Sequence, residues 1–545
     1  MWVTFIITLS LLLAISMAAS AILGGYVGRR FVPIEERPNY IGKRLETKLT
    51  RRFNIDERQS QSWFGYAKDF LSLNVLFLVI GYILLRFQGV LPLNPNGAEN
   101  LNWHLAFHTV ISFMTNTDQQ HYSGEALSHL SQMFVLTTLM FVAPTMAFTI
   151  ALAFIRGVLG KPIGQFYMDF IRVIMYVLLP ISFVFGMLFV ALGVPQTLDP
   201  NVSVTTLEGA TQMIQRGPVA SFEVIKQLGN NGGGYFAVNG AHPFENPTEW
   251  TNYMQLFLML LLPMSLPFIY GAMARKWKQG FVYFGVMLTL FLVGSVAMYA
   301  ILDMNPSLHG QEMRFGSIGT ALYATVTTAA ETGAVNAMHD SLPALSGIIL
   351  MGNMMLNVVF GGVGAGFLNL MIYVIITIFV AALLIGQTPT LLGKKIEGRE
   401  MKLVALTLLV SPLLILGFTG MALVLPGGQD AITNAGSHGI SQILYEYTSA
   451  VANNGSGFEG LLDATPFWDI TAGFAMFFGR YIPLLLMIAI AGSLQMKPRV
   501  TGDGALETDT PLFASLLLGV VVIVGALTFL PVLLLGPVAE WLILH

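Results

Sequence analysis

Gln227-Leu228-Gly229-Asn230-Asn231-Gly232-Gly233-Gly234 closes a short apolar run that begins after Pro218 and passes through Phe222, Val224, Ile225 and Leu228. Proline suits a first helical position, so the run reads as a helix. It is too short to cross a bilayer, which takes about 20 apolar residues, and it stops at Asn and Gly rather than at a charged loop. The same design recurs three times. Asn100 can cap a helix through Trp103, Phe107, Val110, Ile111 and Phe113 that ends at Thr115-Asn116-Thr117-Asp118. A third run, from Ser317 through Ile318, Leu322, Tyr323 and Val326, ends at Glu331-Thr332-Gly333-Ala334; a fourth, from Ser437 through Ile440, Ile443, Leu444 and Tyr447, ends at Asn453-Asn454-Gly455-Ser456. Identity among the four is low, and what repeats is the architecture: long helix, half-helix, polar turn, long helix.

The long helices around these units come from the composition. Of 545 residues, 54% are hydrophobic and 10% charged, where a soluble domain carries about 25% charge. A soluble enzyme is thereby excluded, and an all-α polytopic membrane protein is predicted. Apolar windows at 1–26, 66–86, 133–154, 173–194, 256–273, 281–302, 367–385, 403–425, 474–491 and 512–535 give ten spans. The first carries Ala18-Ala19-Ser20-Ala21, which could pass for a processing site. No basic residue precedes its apolar stretch and Arg29 and Arg30 follow it, so it reads as a retained span with its N-terminus outside. The organisation is then a first helix with a basic loop (1–65), four pore repeats (66–155, 172–274, 281–388 and 403–496) and a last helix (512–545). A net charge of -3 without blocks of like charge points to no nucleic acid partner. The absence of cysteine excludes disulfides, thiolate metal sites and a cysteine nucleophile.

Connections alternate in charge. Apart from Arg86, Arg216, Lys226, Arg314 and Arg480, the 27 Lys and Arg fall in or beside the loops after odd-numbered helices, as with Arg29, Arg37, Arg58, Arg275, Lys394 and Lys497. By the positive-inside rule those loops are cytoplasmic, and both termini and the four half-helices lie on the outer side. A dehydrated cation at membrane depth needs oxygens in place of its water, and backbone carbonyls from four re-entrant loops would supply them. Irregular backbone is tolerated at that depth where it lines a water-filled cavity. Half-helices ending there direct negative dipole ends at the cation, worth a few tenths to about 1 kcal/mol each. Neutral oxygens favour a large monovalent ion over Ca²⁺ or Mg²⁺. The competing reading is of surface turns rich in Asn and Gly.

Seven motifs carry a resemblance over essentially the whole chain. They are Thr115-Asn116-Thr117 with His121-Tyr122-Ser123-Gly124-Glu125, the Gln227–Gly234 stretch, His242-Pro243-Phe244-Glu245-Asn246-Pro247-Thr248, Glu331-Thr332-Gly333-Ala334-Val335-Asn336, Phe360-Gly361-Gly362-Val363-Gly364, Gly393-Lys394-Lys395-Ile396 and Asn453-Asn454-Gly455-Ser456. In these the chain resembles the KdpA family, the potassium-binding A subunits of bacterial Kdp potassium-transporting ATPases, within the superfamily of K⁺ transporters. The resemblance implies four membrane-pore-membrane units with an extra helix at each end, in the bacterial cytoplasmic (inner) membrane. It implies a K⁺ filter of Thr115, Asn116, Thr117, Asn230, Asn231, Gly232, Thr332, Gly333, Asn453, Asn454 and Gly455, with Asp118, Gln120 and Glu331 near it. Within it, Asn116 and Thr117 would match Asn231 and Gly232, Thr332 and Gly333, and Asn454 and Gly455. It further implies passage of K⁺ through an intramembrane tunnel to a P-type ATPase catalytic subunit (KdpB), with a small C subunit (KdpC) and a short single-span peptide (KdpF). K⁺ would be the transported ion and no cofactor is expected. The chain has neither GxxxxGK[ST] nor Asp-Lys-Thr-Gly-Thr, so energy for active transport would come from a partner.

The chain departs from the family pattern at Asp118 and Gln119, where the family commonly reads Asn-Trp, and at Gln387, where it usually has arginine. The first loop lacks glycine at Thr117, as the family does, so the resemblance implies an asymmetric filter. Gly361, Gly362, Gly364 and Gly366 break an apolar stretch too long for one straight span. The superfamily resemblance makes this a gating loop below the filter; close helix packing is the alternative. His104 and His108 sit four apart without a glutamate to complete HExxH, and read as polar packing rather than a metal site. Lys226 and Arg480, charged at membrane depth, are expected to snorkel to the outer surface. A stand-alone K⁺ channel or ion-coupled transporter of the superfamily would share the filter without the other motifs. A membrane enzyme such as a lipid transferase would need acidic or histidine clusters at the surface, and the outer polar clusters read as Asn, Thr and Gly.

Overall fold

The computed structural model describes residues 1–32, 43–52, 55, 59–305, 307, 309–500 and 507–545. Arg37 and Arg58 of the basic loop lie outside them. Among the described residues ten helices are long and apolar enough to cross a membrane: Trp2–Arg30, Trp63–Arg86, Ser131–Val158, Phe166–Ala191, Glu249–Ala274, Trp277–Met304, Ala365–Leu384, Gly398–Val424, Pro466–Gln495 and Pro511–Leu544. Each coincides with one of the apolar windows, so the protein is a multi-pass all-α membrane protein. The third and fifth spans are 89% buried in their most apolar stretch, and the first, second and eighth only 22%. The former are the interior of the bundle, and the latter present apolar side chains outward, as lipid-facing helices do.

The first span shows why this packing forms. Ser16, Ser20, Gly24 and Gly28 make one buried stripe at four-residue spacing. It admits the fifth span so closely that a Cβ on Gly24 or on Gly28 would lie 2.6 Å from the Cβ of Phe268 or Ala272. Ser20 Oγ donates to the Leu261 carbonyl at 2.9 Å. Small residues at this spacing let helices approach where lipid offers no hydrophobic gain.

The half-helices are Trp103–Met114, Val219–Leu228, Gly316–Ala329 and Ser437–Ala452. They follow the second, fourth, sixth and eighth spans and are buried through most of their length. The apolar stretch before the seventh span breaks as its glycines predict, though over different residues. A helix Ser346–Leu356 ends at Asn357, and the seventh span starts at Ala365. Asn357, Phe360, Gly361 and Gly364 between them have positive φ. Gly366 is inside the seventh span, its Cα against that of Gly361, because any side chain there would collide with the turn. An exposed hairpin, Val202–Thr205 with Thr211–Ile214, lies outside the bundle in the connection after the fourth span.

Candidate functional site

Each half-helix ends in the same backbone turn. An amide beyond the helix reaches back five residues: Thr117 to the Ser112 carbonyl, Asn231 to Lys226, Thr332 to Thr327 and Asn454 to Ser449, at 2.9–3.0 Å. The residue before each of these has positive φ (Asn116 63°, Asn230 50°, Glu331 48°, Asn453 61°), and so has the residue after it (Asp118 53°, Gly232 92°, Gly333 80°, Gly455 97°). This fixes the register of the four loops. The residue of the first loop that stands where the others have glycine is Asp118, not Thr117, so the first loop is one residue out of step with the pairing its motif suggested. Asp is among the few side chains that tolerate the left-handed conformation.

The loops meet. A Cβ placed on Gly232 would come within 3.0 Å of the backbone carbonyl oxygens of Thr332, Asn454 and Thr117, one from each other loop. A Cβ on Gly333 would collide with the Asn454 carbonyl, and one on Gly455 with that of Thr117. These carbonyls converge on a common axis, and glycine is required both for its backbone conformation and for its lack of bulk.

A closed ring of side-chain hydrogen bonds holds the convergence. Asn116 Nδ2 donates to the Asn230 carbonyl at 2.6 Å, and Asn230 Nδ2 to Thr332 Oγ1 at 2.8 Å. Asn454 Nδ2 donates to the Thr327 carbonyl, and Asn453 Nδ2 to Thr117 Oγ1, both at 3.0 Å. The ring thus runs from loop one to two, two to three, three to four and four to one. Thr115 Oγ1 lies 2.8 Å from Thr117 Oγ1 and fixes that rotamer. Asn231 meets Asn116, their amide groups 2.8 Å apart. The asparagines act as struts, and the axis is left to backbone oxygens.

The neighbours named from sequence take distinct places. Gln120 brackets the second loop, accepting from the Gly234 amide at 2.7 Å and donating to the Gly234 carbonyl at 3.0 Å. Asp118 is fully buried with neither carboxylate oxygen hydrogen-bonded. Glu331 holds the position that asparagine holds in the other loops, and its Cβ faces Gly362 of the broken stretch at 3.4 Å from a notional Cβ there. That stretch lies directly under the convergence: the Gly361 amide donates to the Ala329 carbonyl at 2.7 Å, and Asn357 Nδ2 to the Ala452 carbonyl at 3.1 Å. Beside it is a cavity of about 40 Å³ lined by Asn357, Asn369, Thr407, Ser411, Asn453 and Arg480.

Neither membrane-depth cation snorkels. Lys226 is wholly buried, with Glu223 at 2.7 Å and Glu245 at 4.0 Å, because the second repeat supplies its own counter-charges. Arg480 is 5% exposed and turns into the cavity beneath the fourth loop. A cluster of histidines and acids, which no stretch of sequence displays, is assembled by folding: His108, His121 and His104 from the first repeat with Glu446, Asp463 and Asp469 from the fourth.

A family model described as KdpA, potassium-transporting ATPase A subunit, matches residues 10–542. Among solved structures, the crystal structure of the potassium transporter TrkH from Vibrio parahaemolyticus superposes with a TM-score of 0.55 at 14% identity. That match covers 78% of this chain and 84% of the other, and it establishes a shared fold.

Proposed function

We propose, for a chain that belongs to the family of potassium-transporting ATPase A subunits and so to potassium transport across a membrane, that it is the ion-selecting subunit of an ATP-driven K⁺ uptake complex. K⁺ enters from the outer side and sheds its water among the carbonyls of Thr117, Asn231, Thr332 and Asn454. The glycines Gly232, Gly333 and Gly455, and Asp118 in the first loop, complete the wall. The observation that carries this reading is the approach of three loops' carbonyl oxygens to within 3.0 Å of one point beside Gly232. Oxygens so placed replace a hydration shell only if they are held, and the asparagine ring holds them.

Below the filter, the 357–364 turn and the Asn357 contact close the straight route inward. Ions therefore leave sideways, to a P-type ATPase catalytic subunit that hydrolyses ATP, with the small C subunit and a single-span peptide completing the assembly. The chain itself is non-catalytic and needs no cofactor. The excess of Lys and Arg in the loops after odd-numbered spans supports both termini outside and residence in the bacterial inner membrane.

The test is ⁸⁶Rb⁺ uptake into vesicles holding the chain with and without the ATPase partner and ATP, for wild type and Gly232→Asp. Uptake that requires partner and ATP, and falls at least tenfold or loses K⁺ selectivity in the variant, is expected. Passive flux without the partner would instead make the chain a channel. Uptake indifferent to Gly232→Asp would remove the filter.

A further inference from the structure

We propose that His108, His121 and Asp469 form a binding site for a divalent transition ion of the Zn²⁺ type that ties the first pore loop to the fourth repeat, with Glu446 and Asp463 held at the opposite ring nitrogen of His121. Donor atoms of His108, His121 and Asp469 all lie within 4.8 Å of one another, and so do those of His121, Glu446 and Asp463. The two sets share His121. Imidazole nitrogens with carboxylate oxygens are the donor set such ions take, at about 2.0–2.2 Å from the metal.

His108 is the observation that asks for a ligand. It is 0% exposed, yet neither ring nitrogen makes a hydrogen bond of good geometry, with the Gln119 side chain close by. Its ring stacks on His121 with centroids 3.8 Å apart at 20°, and donor atoms of both rings come within reach of Asp469. A buried imidazole without partners costs about 1–3 kcal/mol, and a metal bond removes that cost.

Charge points the same way. Glu446 and Asp469 are buried, and among the described residues their ion pairs are to histidines alone: His104 Nδ1 to Asp469 Oδ2 at 2.5 Å, His121 Nδ1 to Asp469 Oδ1 at 2.8 Å and His121 Nε2 to Glu446 Oε1 at 3.3 Å. Three carboxylates facing histidines at one interface are best compensated by a cation. The outer shell is built as well. His104 orients Asp469, and Gln119 Nε2 donates to Glu446 Oε1 at 2.6 Å. Such partners fix ligand orientation. Asp463, whose side chain is 26% exposed, gives an ion its way in.

The site does not rest on K⁺ transport, and its test reads metal directly. The full chain, purified in its complex, is stripped with chelator, exposed to Zn²⁺, desalted and assayed for metal content; a second sample takes Co²⁺ for visible absorption. About one ion per chain and a four-coordinate Co²⁺ spectrum are expected, with retained metal falling at least tenfold in His108→Asn and in Asp469→Asn. Equal metal content in wild type and both folded variants, or no retained metal and no Co²⁺ band in the wild type, would overturn the proposal. If the variants do not fold, the wild-type Co²⁺ spectrum decides alone, since its position and intensity report nitrogen and oxygen ligation.

Discussion

Asp118 is the residue at which the four loops stop being alike. Its φ of 53° matches the conformation that the other loops give to glycine, and its carboxylate is buried with no hydrogen-bond donor. A negative charge beside converging carbonyls would concentrate cations at the proposed filter. Asp118→Asn keeps the side-chain volume and the tolerance of positive φ while removing the charge. The expected result is a rise of roughly 10-fold in half-saturating K⁺, little changed by added inert electrolyte because the group is buried, with K⁺ over Na⁺ selectivity retained. Uptake measured against K⁺ at two ionic strengths checks it, and a value equal to wild type would show that the carboxylate carries no charge there. The chain of letters could not reveal this role, because Thr115-Asn116-Thr117-Asp118 has no glycine to mark its register; the five-residue amide contacts that decide it exist only in the fold. Isolation in sequence hid the His108 cluster in the same way. The three histidines of one repeat meet carboxylates more than 300 residues away, as the separation of 365 between His104 and Asp469 illustrates.

At the scale of helices the sequence was far more legible, because ten long apolar windows and four short ones are a property of composition along the chain, and lipid forbids other ways of satisfying their backbone. Glycines likewise announced the break before the seventh span. What composition does not tell is how half-helices are pinned at their N-terminal ends. His438, the second residue of the fourth half-helix, bridges Asp340 of the third repeat at 3.0 Å and Glu540 of the last helix at 2.9 Å. The hydrogen bonds to Asp340 and then Glu540 raise its pKa to about 9. Its folded value lies above the unfolded one, near 6.5, so the stabilisation is present in full below about pH 6.5 and is lost as pH rises through about 9. His438→Gln is therefore expected to lower the unfolding temperature in detergent by a few degrees at pH 6, with the difference from wild type gone at pH 10. Thermal unfolding at the two pH values checks this; a difference independent of pH would mean that the histidine acts by packing alone.

For the molecule as a whole, the decisive question is where an ion goes once it has passed the carbonyls. The proposed sideways delivery requires that the straight route stay shut without the partner, and the closure this reading offers is slight. It consists of a turn at 357–364, a 3.1 Å bond from Asn357 Nδ2 to the Ala452 carbonyl at the foot of the fourth loop, and a 3.3 Å bond from Asn369 Nδ2 to the Asn357 carbonyl. The adjoining cavity is polar through Thr407, Ser411 and Arg480, so water would follow any opening. Asn357 has φ 46°, which asparagine bears more cheaply than most side chains. Asn357→Ala loses both the strut and that tolerance, at a cost of about 1–3 kcal/mol to the closed turn. A shift of that size multiplies the open population by roughly 5- to 150-fold. Vesicles containing the variant alone, with neither partner nor ATP, should then leak ⁸⁶Rb⁺ measurably above wild-type vesicles, while ATP-driven uptake by the assembled complex falls because ions run back. Wild-type tightness in the variant would place the barrier elsewhere, and Arg480, buried and facing the cavity under the fourth loop, would become the group to change next.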